Sequence, residues 1–306
     1  MQAKIVIVGS LNMDLVIRAQ RLPSPGETLR GESFATVPGG KGANQAVAAA
    51  RLGGSVAMIG AVGADAYGEQ LRAALIAEQI DCQAVAVCED VSTGIASILV
   101  DAQSQNAIVI VAGANGQVSP ESVERFDGLL AAAEIVICQL EVPTRTVSRT
   151  LTRARELGKT VILNPAPAAG ALPAEWYPLI DYLIPNEGEA QALTGLPVDS
   201  PASAGHAADA LLAAGVRNVI ITLGGQGAWF ANASGSQHLA APSVKAVDTT
   251  AAGDTFVGGF AAALANGENE LAAIRFGQKA AALSVTRAGA QPSIPTVAEV
   301  QEFKPA

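Results

Sequence analysis

The segment Ile5-Val6-Ile7-Val8-Gly9 decides how the rest of the chain reads. Four β-branched residues stand in a row without polar alternation, so both faces of the strand they form must be covered. The same signature recurs at 56–59, 135–138, 161–163, 181–184 and 219–222. Between these runs, helical periodicity is present at 43–52, 67–79, 144–157, 187–194 and 203–214. Strands and helices alternating in this way build crossover units that pack into a parallel sheet. The predicted fold is α/β, a three-layer sandwich whose mostly parallel central sheet is flanked by helices. Toward the C-terminus the pattern changes to two Ala-rich helices, 255–265 and 270–285, followed by a proline-marked tail.

Two regions interrupt the alternation. Residues 11–37 and 91–111 place apolar side chains at every second position (Leu15 and Ile17; Ile95 and Leu99; Ile108 and Ile110), broken by Pro23, Pro25 and Gly26. Period-two alternation predicts antiparallel strands with one exposed face. They form one small β-sheet inserted at an edge of the main sheet, a candidate lid. No linker divides the chain, so residues 1–306 are expected to form a single domain.

Composition narrows the function. Of the 306 residues half are apolar and 15% charged, enough to bury a large core. A formal charge of −9 repels polyanions and argues against nucleic-acid or anionic-membrane partners. The three cysteines, Cys82, Cys88 and Cys138, lack C-x-x-C spacing, which disfavours a disulfide framework or a zinc site and suggests a reducing, cytoplasmic setting. Ile5–Val8 is too short for the apolar region of a signal peptide. His206 and His238 have no metal-ligand spacing, and neither is assigned a role.

The most informative polar segment is Asp248-Thr249-Thr250-Ala251-Ala252-Gly253-Asp254-Thr255-Phe256, at the start of a helix. Small residues there let backbone N–H groups converge, and the helix dipole adds positive potential. Such a tip can stabilise the charge of a transferring phosphoryl group, with Asp254 able to take a proton from an attacking hydroxyl. The alternative is that Asp254 is an N-cap and Asp248 a turn residue.

Gly39-Gly40-Lys41-Gly42-Ala43-Asn44-Gln45-Ala46 imitates two nucleotide fingerprints and satisfies neither. A Walker A loop needs Ser or Thr after its Lys, where Gly42 stands. A dinucleotide fingerprint starting at Gly40 needs Gly or Ala where Gln45 stands. The glycines still permit close approach of a ligand. Asn12 and Asp14 follow the first strand, where a carboxylate could hold a sugar diol or simply make a turn. Asn186-Glu187-Gly188-Glu189 and Thr222-Leu223-Gly224-Gly225-Gln226-Gly227 both follow strands, at the carboxyl ends where α/β sheets bind ligands. Asn186 and Glu189 suit a water-rich magnesium shell, or the acid-favouring first turn of a helix.

Taken together, Gly39–Ala46, Asn186-x-x-Glu189, Thr222–Gly227 and Asp248–Phe256 resemble the ribokinase family of carbohydrate kinases, which also contains the minor phosphofructokinase. The likeness covers nearly the whole chain, and the tail Thr286-Arg287-x-Gly289-Ala290-Gln291-Pro292-Ser293 is similar to ribokinases in particular. The resemblance implies ATP-dependent phosphorylation of the primary 5-hydroxyl of D-ribose, with a related sugar or nucleoside kinase (for deoxyribose or fructose) as the alternative.

It implies that Asp254 is the general base, with the amides of Ala251, Ala252 and Gly253 as anion hole. Sugar would be held by Asn12, Asp14, Gly40, Lys41, Gly42, Ala43, Asn44 and Glu141. ATP would lie along Asn186, Thr222, Leu223, Gly224, Gly225, Gln226, Gly227 and Gly253, with Gln278 near the adenine. Magnesium accompanying ATP would be placed by Asn186 and Glu189. A potassium ion would sit among Asp248, Thr250, Ser284, Arg287, Gly289 and Ser293, and the lid sheet would pair two subunits into a homodimer. The chain departs from the family's pattern at Ala251, usually Gly, and at Gln278, where His is familiar. A nicotinamide-dependent oxidoreductase and a non-catalytic sugar sensor are the rival classes. The failed dinucleotide fingerprint weighs against the first, the intact Asp254 segment against the second.

Overall fold

A computed structural model describes residues 3–103, 105–168 and 170–304. Nine strands form the main sheet: β1 (Ile5–Val8), β4 (Val56–Gly63), β5 (Asp81–Cys88), β8 (Ile135–Cys138), β9 (Thr160–Leu163), β10 (Tyr182–Leu183), β11 (Asn218–Thr222), β12 (Ala228–Asn232) and β13 (Gly235–Leu239). Their spatial order is β13-β12-β11-β10-β9-β8-β1-β4-β5. From β11 to β5 every neighbour is parallel, while β12 and β13 close the far edge as antiparallel strands.

The consecutive β-branched residues of β1 account for the layering. Ile5 and Ile7 face one core and Val6 and Val8 the other, all fully buried. On the first face lie α1 (Lys41–Arg51), α2 (Ala66–Ala77), α8 (Ala252–Ala265), α9 (Glu270–Ser284) and α10 (Val297–Glu302). On the second lie α3 (Pro120–Arg125), α4 (Asp127–Ala132), α5 (Thr144–Glu156), α6 (Glu187–Thr194) and α7 (Pro201–Ala213). The fold class expected from the sequence is the one observed.

A second, four-stranded sheet has the order β3-β2-β6-β7, built from β2 (Asn12–Arg18), β3 (Ser33–Gly39), β6 (Gly94–Val100) and β7 (Asn106–Val111). The expected small second sheet is therefore present, with one correction. The β2–β3 and β6–β7 pairs are antiparallel hairpins, but β2 and β6 run parallel, because α1, β4, α2 and β5 intervene between them.

Three main-sheet strands, β5, β12 and β13, escaped the sequence reading; β5 carries polar positions and the largely exposed β13 reads Gly-Ser-Gln-His-Leu, while the expected strand at 181–184 is reduced to the two residues of β10. Helix α1 begins two residues earlier than expected, at Lys41. Among the described residues no helix is long and apolar enough to cross a membrane.

The close crossing of α1 and α8 positions the polar groups described below. A Cβ on Gly258 would lie 2.5 Å from Ala48 Cβ and 2.7 Å from the Ala49 nitrogen, so only glycine lets these helices approach so closely. Gly42, at the other end of the crossing, has no room beside the Ser10 nitrogen, 2.6 Å from where its Cβ would stand.

Candidate active site

A cleft of about 200 Å³ opens at the carboxyl ends of the parallel strands, where ligands of open α/β sheets bind. Lys41, Asn164, Asn186, Glu189, Thr222, Ala251, Ala252, Gly253 and Asp254 line it. Residues read from four separate sequence segments thus converge on one cavity.

Helix α8 enters this cleft by its N-terminus. Its N-cap is Ala251, held at φ 58° in the left-handed region. Glycine takes that conformation freely, and alanine bears a cost of roughly 1–2 kcal/mol, which is the physical meaning of the departure at this position. The amide of Ala252 makes a 3.2 Å turn bond to the Thr249 carbonyl, whereas those of Ala251 and Gly253 have no acceptor among the described residues. Such unpaired first-turn amides at a helix N-terminus form an anion site.

Asp254 is not the N-cap, which answers the structural alternative raised by the sequence. It sits in the first turn, 7% exposed, and its carboxylate takes hydrogen bonds from α1 instead of from its own helix. Asn44 Nδ2 donates to Oδ2 at 3.0 Å and Gln45 Nε2 to Oδ1 at 2.9 Å. Burial raises the Asp254 pKa above the ordinary carboxylate value, and nearby Lys41 and the two amides pull it part of the way back. Burial disfavours the Lys41 charge, but Asp254, Glu141 and Glu189 outweigh it and leave the ammonium above its usual value.

Asn12 and Asp14 lie inside strand β2, not in a turn. Asn12 Oδ1 is fixed by Asn115 Nδ2 at 2.8 Å, while Asn115 also brackets the Leu11 backbone. Asp14 is 9% exposed and packs against Gly39, whose Cβ would fall 2.3 Å from Oδ2. Gly40, at φ 88°, has no room for a side chain beside the Asn12 nitrogen. Glu141 accepts from Ser10 Oγ and, at 3.0 Å, from the Lys41 amide, and the Ala43 amide donates to the Ser10 carbonyl. The Gly40–Asn44 turn is thereby pinned to the loop after β1. Burial drives Asp14 up to about 7, and the negative charges of Glu141 and Asp254 add to the shift.

On the other side of the cleft, Asn186 and Glu189 form a reciprocal capping box at the start of α6. The structural reading of this pair is therefore realised, yet both residues also line the cavity. Carboxylate and amide oxygens at its wall are the donor types a hydrated magnesium ion accepts. Thr222, bridged to Asn186 through Pro185, leads into the turn Gly224–Gln226, with Gly224 and Gly227 at positive φ. Gln278 is buried and its Nε2 donates to the Leu239 carbonyl at 2.7 Å; it does not line the cleft. Asp248 Oδ1 accepts from Thr250 N and Oγ1, and Oδ2 from the Gly289 amide. This ties 248–250 to the segment around Gly289, while the Ser284 and Ser293 hydroxyls donate to the Ala281 and Ala290 carbonyls. Arg287 itself is paired with Glu299.

A family model for the pfkB family of carbohydrate kinases matches residues 2–297. The chain belongs to that family. It is 43% identical over 303 residues to a ribokinase from Haemophilus influenzae, covering 99% of both chains. It is 38% identical to a deoxyribokinase from Salmonella typhi, covering 98% of each. A solved ribokinase of Arabidopsis thaliana, complexed with ribose and ATP, superposes with a TM-score of 0.92 at 33% identity, over 99% of this chain and 100% of that one. This kinase is thus a phosphotransferase acting on an alcohol group.

Several residues in contact with the site went unassigned in the sequence. Ser10, Asn115, Gln139 and Asn164 are all buried, and Ser10, Gln139 and Asn164 stand just past strand ends. A polar residue directly after an apolar run was the available signal.

The raised pKa of Asp14 has a definite consequence for stability. Between about pH 4 and 7 the folded state holds a proton that the unfolded chain has lost, so stability falls as pH rises through that window. We expect Asp14→Asn to stabilise the ligand-free kinase at pH 8 by on the order of 2 kcal/mol, and by much less near pH 5. Thermal melts at the two pH values measure this, and a pH-independent difference would contradict it.

Proposed function

We propose that this kinase transfers the γ-phosphoryl group of ATP to the primary 5-hydroxyl of D-ribose, giving ribose 5-phosphate. One observation carries the proposal: a buried carboxylate, Asp254, lies beneath unpaired amides of a helix N-terminus and beside the Lys41 ammonium. Asp254 accepts the proton of the attacking hydroxyl. The amides of Ala251, Ala252 and Gly253 meet the negative charge that grows on the migrating group. Positioning and charge stabilisation supply most of the barrier reduction in phosphoryl transfer.

Asn12, Asp14, Glu141 and the Gly40-Lys41-Gly42-Ala43-Asn44 turn hold the sugar so that its primary hydroxyl faces Asp254. The strand end and loop Thr222-Leu223-Gly224-Gly225-Gln226-Gly227 take the nucleotide, together with Asn186 and Gly253. Gln278 lies toward the adenine side with its amide nitrogen already committed. Magnesium bound with ATP would neutralise phosphate charge, held through water by Asn186 and Glu189. Potassium among the oxygens of Asp248, Thr250, Ser284, Arg287, Gly289 and Ser293 would stiffen the anion-hole loop from behind. Three free thiols match a reducing cytoplasm, which cell fractionation would check.

Deoxyribose is the second candidate sugar, since a deoxyribokinase stands at 38% identity. A coupled ADP-release assay with ribose, 2-deoxyribose and fructose is expected to give ribose the highest kcat/KM. A higher value for another sugar overturns that assignment. In the same assay Asp254→Asn should lower turnover by about 10²–10⁴-fold while sugar binding persists. Near-normal turnover would remove Asp254 as the base.

The cation assignment predicts a marked fall in rate when sodium replaces potassium, read at constant ionic strength. Equal rates in the two salts would dismiss the site.

The small sheet ends on an edge strand, β7, whose residues are all exposed, among them Val109 at 66%, with Phe34 on the opposite edge strand β3 exposed at 62%. Exposed apolar edges invite pairing, and we place a homodimer contact there. Light scattering should give a dimer for the native chain and a monomer for Val109→Lys; a native monomer would refute the contact.

A further inference from the structure

Gln45 is fully buried, does not line the cleft, and nevertheless donates to the carboxylate at its centre. Every hydrogen-bonding position of its side-chain amide group that the geometry reveals is committed. Nε2 donates to Asp254 Oδ1 at 2.9 Å and to Asn164 Oδ1 at 3.0 Å. Oε1 accepts from Gln139 Nε2 at 2.6 Å.

The direction of this chain is fixed at its far end. Asn164 Nδ2 donates to the Ile184 backbone carbonyl at 2.9 Å, and a carbonyl can only accept. Asn164 must therefore turn its oxygen toward Gln45. Gln45 must turn its nitrogen toward Asn164 and Asp254, and its oxygen toward Gln139. Gln139 must then present its nitrogen. Its own Oε1 is left buried, without a partner among the described residues, against Gly9, where a Cβ would come within 2.2 Å of it. Reversing the Gln139 amide would set two oxygens against each other, so the unpaired carbonyl is the lesser cost. Gln139 and Asn164 each follow the last residue of a parallel strand, β8 and β9, so the chain ties Asp254 to the rigid centre of the main sheet. Asn44 holds the other oxygen but is itself secured only by a longer bond, 3.3 Å from Gln291.

We propose that Gln45, oriented by Gln139 and Asn164, is the positioning residue that fixes the plane of the Asp254 carboxylate and keeps it ionised for proton acceptance. The proposal rests on Asp254 being the general base. A neutral amide cannot take the proton, so with Oδ1 and Oδ2 each tied to α1, the lone pairs left for the substrate hydroxyl face the cleft. The charged groups that also face Asp254 are Lys41 from α1, Glu141 after β8, Asp14 from β2 and Glu189 from α6. The substitution described next leaves all four in place.

Gln45→Met keeps the bulk and removes the amide. Steady-state kinetics across pH, with circular dichroism to establish folding, should show kcat lower by about ten- to a hundredfold, the loss of a hydrogen bond to a charged group. Sugar KM should stay within about threefold, because Gln45 is fully buried and does not line the cleft. The acid limb of kcat/KM should move to higher pH by about half a unit or more, since a lost donor raises the pKa of the base. A folded Gln45→Met with native kcat, or with reduced kcat and an unmoved acid limb, overturns the proposal. Should Gln45→Met not fold, Gln139→Met gives the second arm: a smaller shift in the same direction supports the proposal, and an unmoved acid limb overturns it. Asp254→Asn is measured alongside. If it retains turnover, the base assignment and this inference fall together; if it is inactive while Gln45→Met behaves as native, this inference alone falls.

Discussion

The structure of the site depends on one crossing, that of α1 and α8. Two helices rarely bring their first turns so near each other, because both ends carry partial positive charge and side chains usually hold the backbones apart. Here Gly258 removes the steric barrier, and Asp254, one turn earlier on α8, supplies the negative charge that both tips favour. From α1 come Asn44 and Gln45 as donors and Lys41 as a countercharge. Weakening this crossing would separate the Asp254 carboxylate from the two amides that hydrogen-bond it.

Around the crossing, charge is balanced within narrow limits. Asp14, Glu141, Glu189 and Asp254 share a small region with a single ammonium, Lys41, and burial adds to their mutual repulsion. The cluster is therefore electrostatically expensive, and the raised pKa of Asp14 is the clearest sign of it. Hydroxyl groups donating to these carboxylates would relieve part of the cost. Strain of this kind, held by a rigid sheet, is what a site poised to bind polar ligands is expected to store. The left-handed Ala251 adds a smaller backbone contribution at the tip of α8.

The lid sheet is attached at the same place. β2 begins at Asn12 shortly after β1, and β3 ends at Gly39 shortly before α1, so the paired ends Asn12 and Gly39 lie next to the start of α1. Asp65 joins β6 to this arrangement: it caps α2 through the Gly68 amide and accepts from Thr93 N and Oγ1 at the start of the strand. The lid thus meets the main sheet through polar junctions beside the cleft, while its outer strand remains exposed.

By itself the sequence determined the layered α/β class, since uninterrupted runs such as Ile5–Val8 are stable only when covered on both faces. It also singled out the segments that meet in the cleft, because glycines, acids and amides placed at strand-to-helix turns have few structural uses in that density. Asp254, Lys41, Asn186 and Thr222 were legible for that reason, as was the lid from its period-two alternation. Tertiary structure alone decided which oxygen of Asp254 receives which donor, that β2 and β6 run parallel, and that Gln278 is committed to the Leu239 carbonyl. It alone revealed Asn115, Gln139 and Asn164 as neighbours of the site, and Gln45 as more than a helix residue. The reason is physical: periodicity reports local burial, whereas a hydrogen bond between residues 209 positions apart, such as Gln45 to Asp254, exists only once packing has closed the distance.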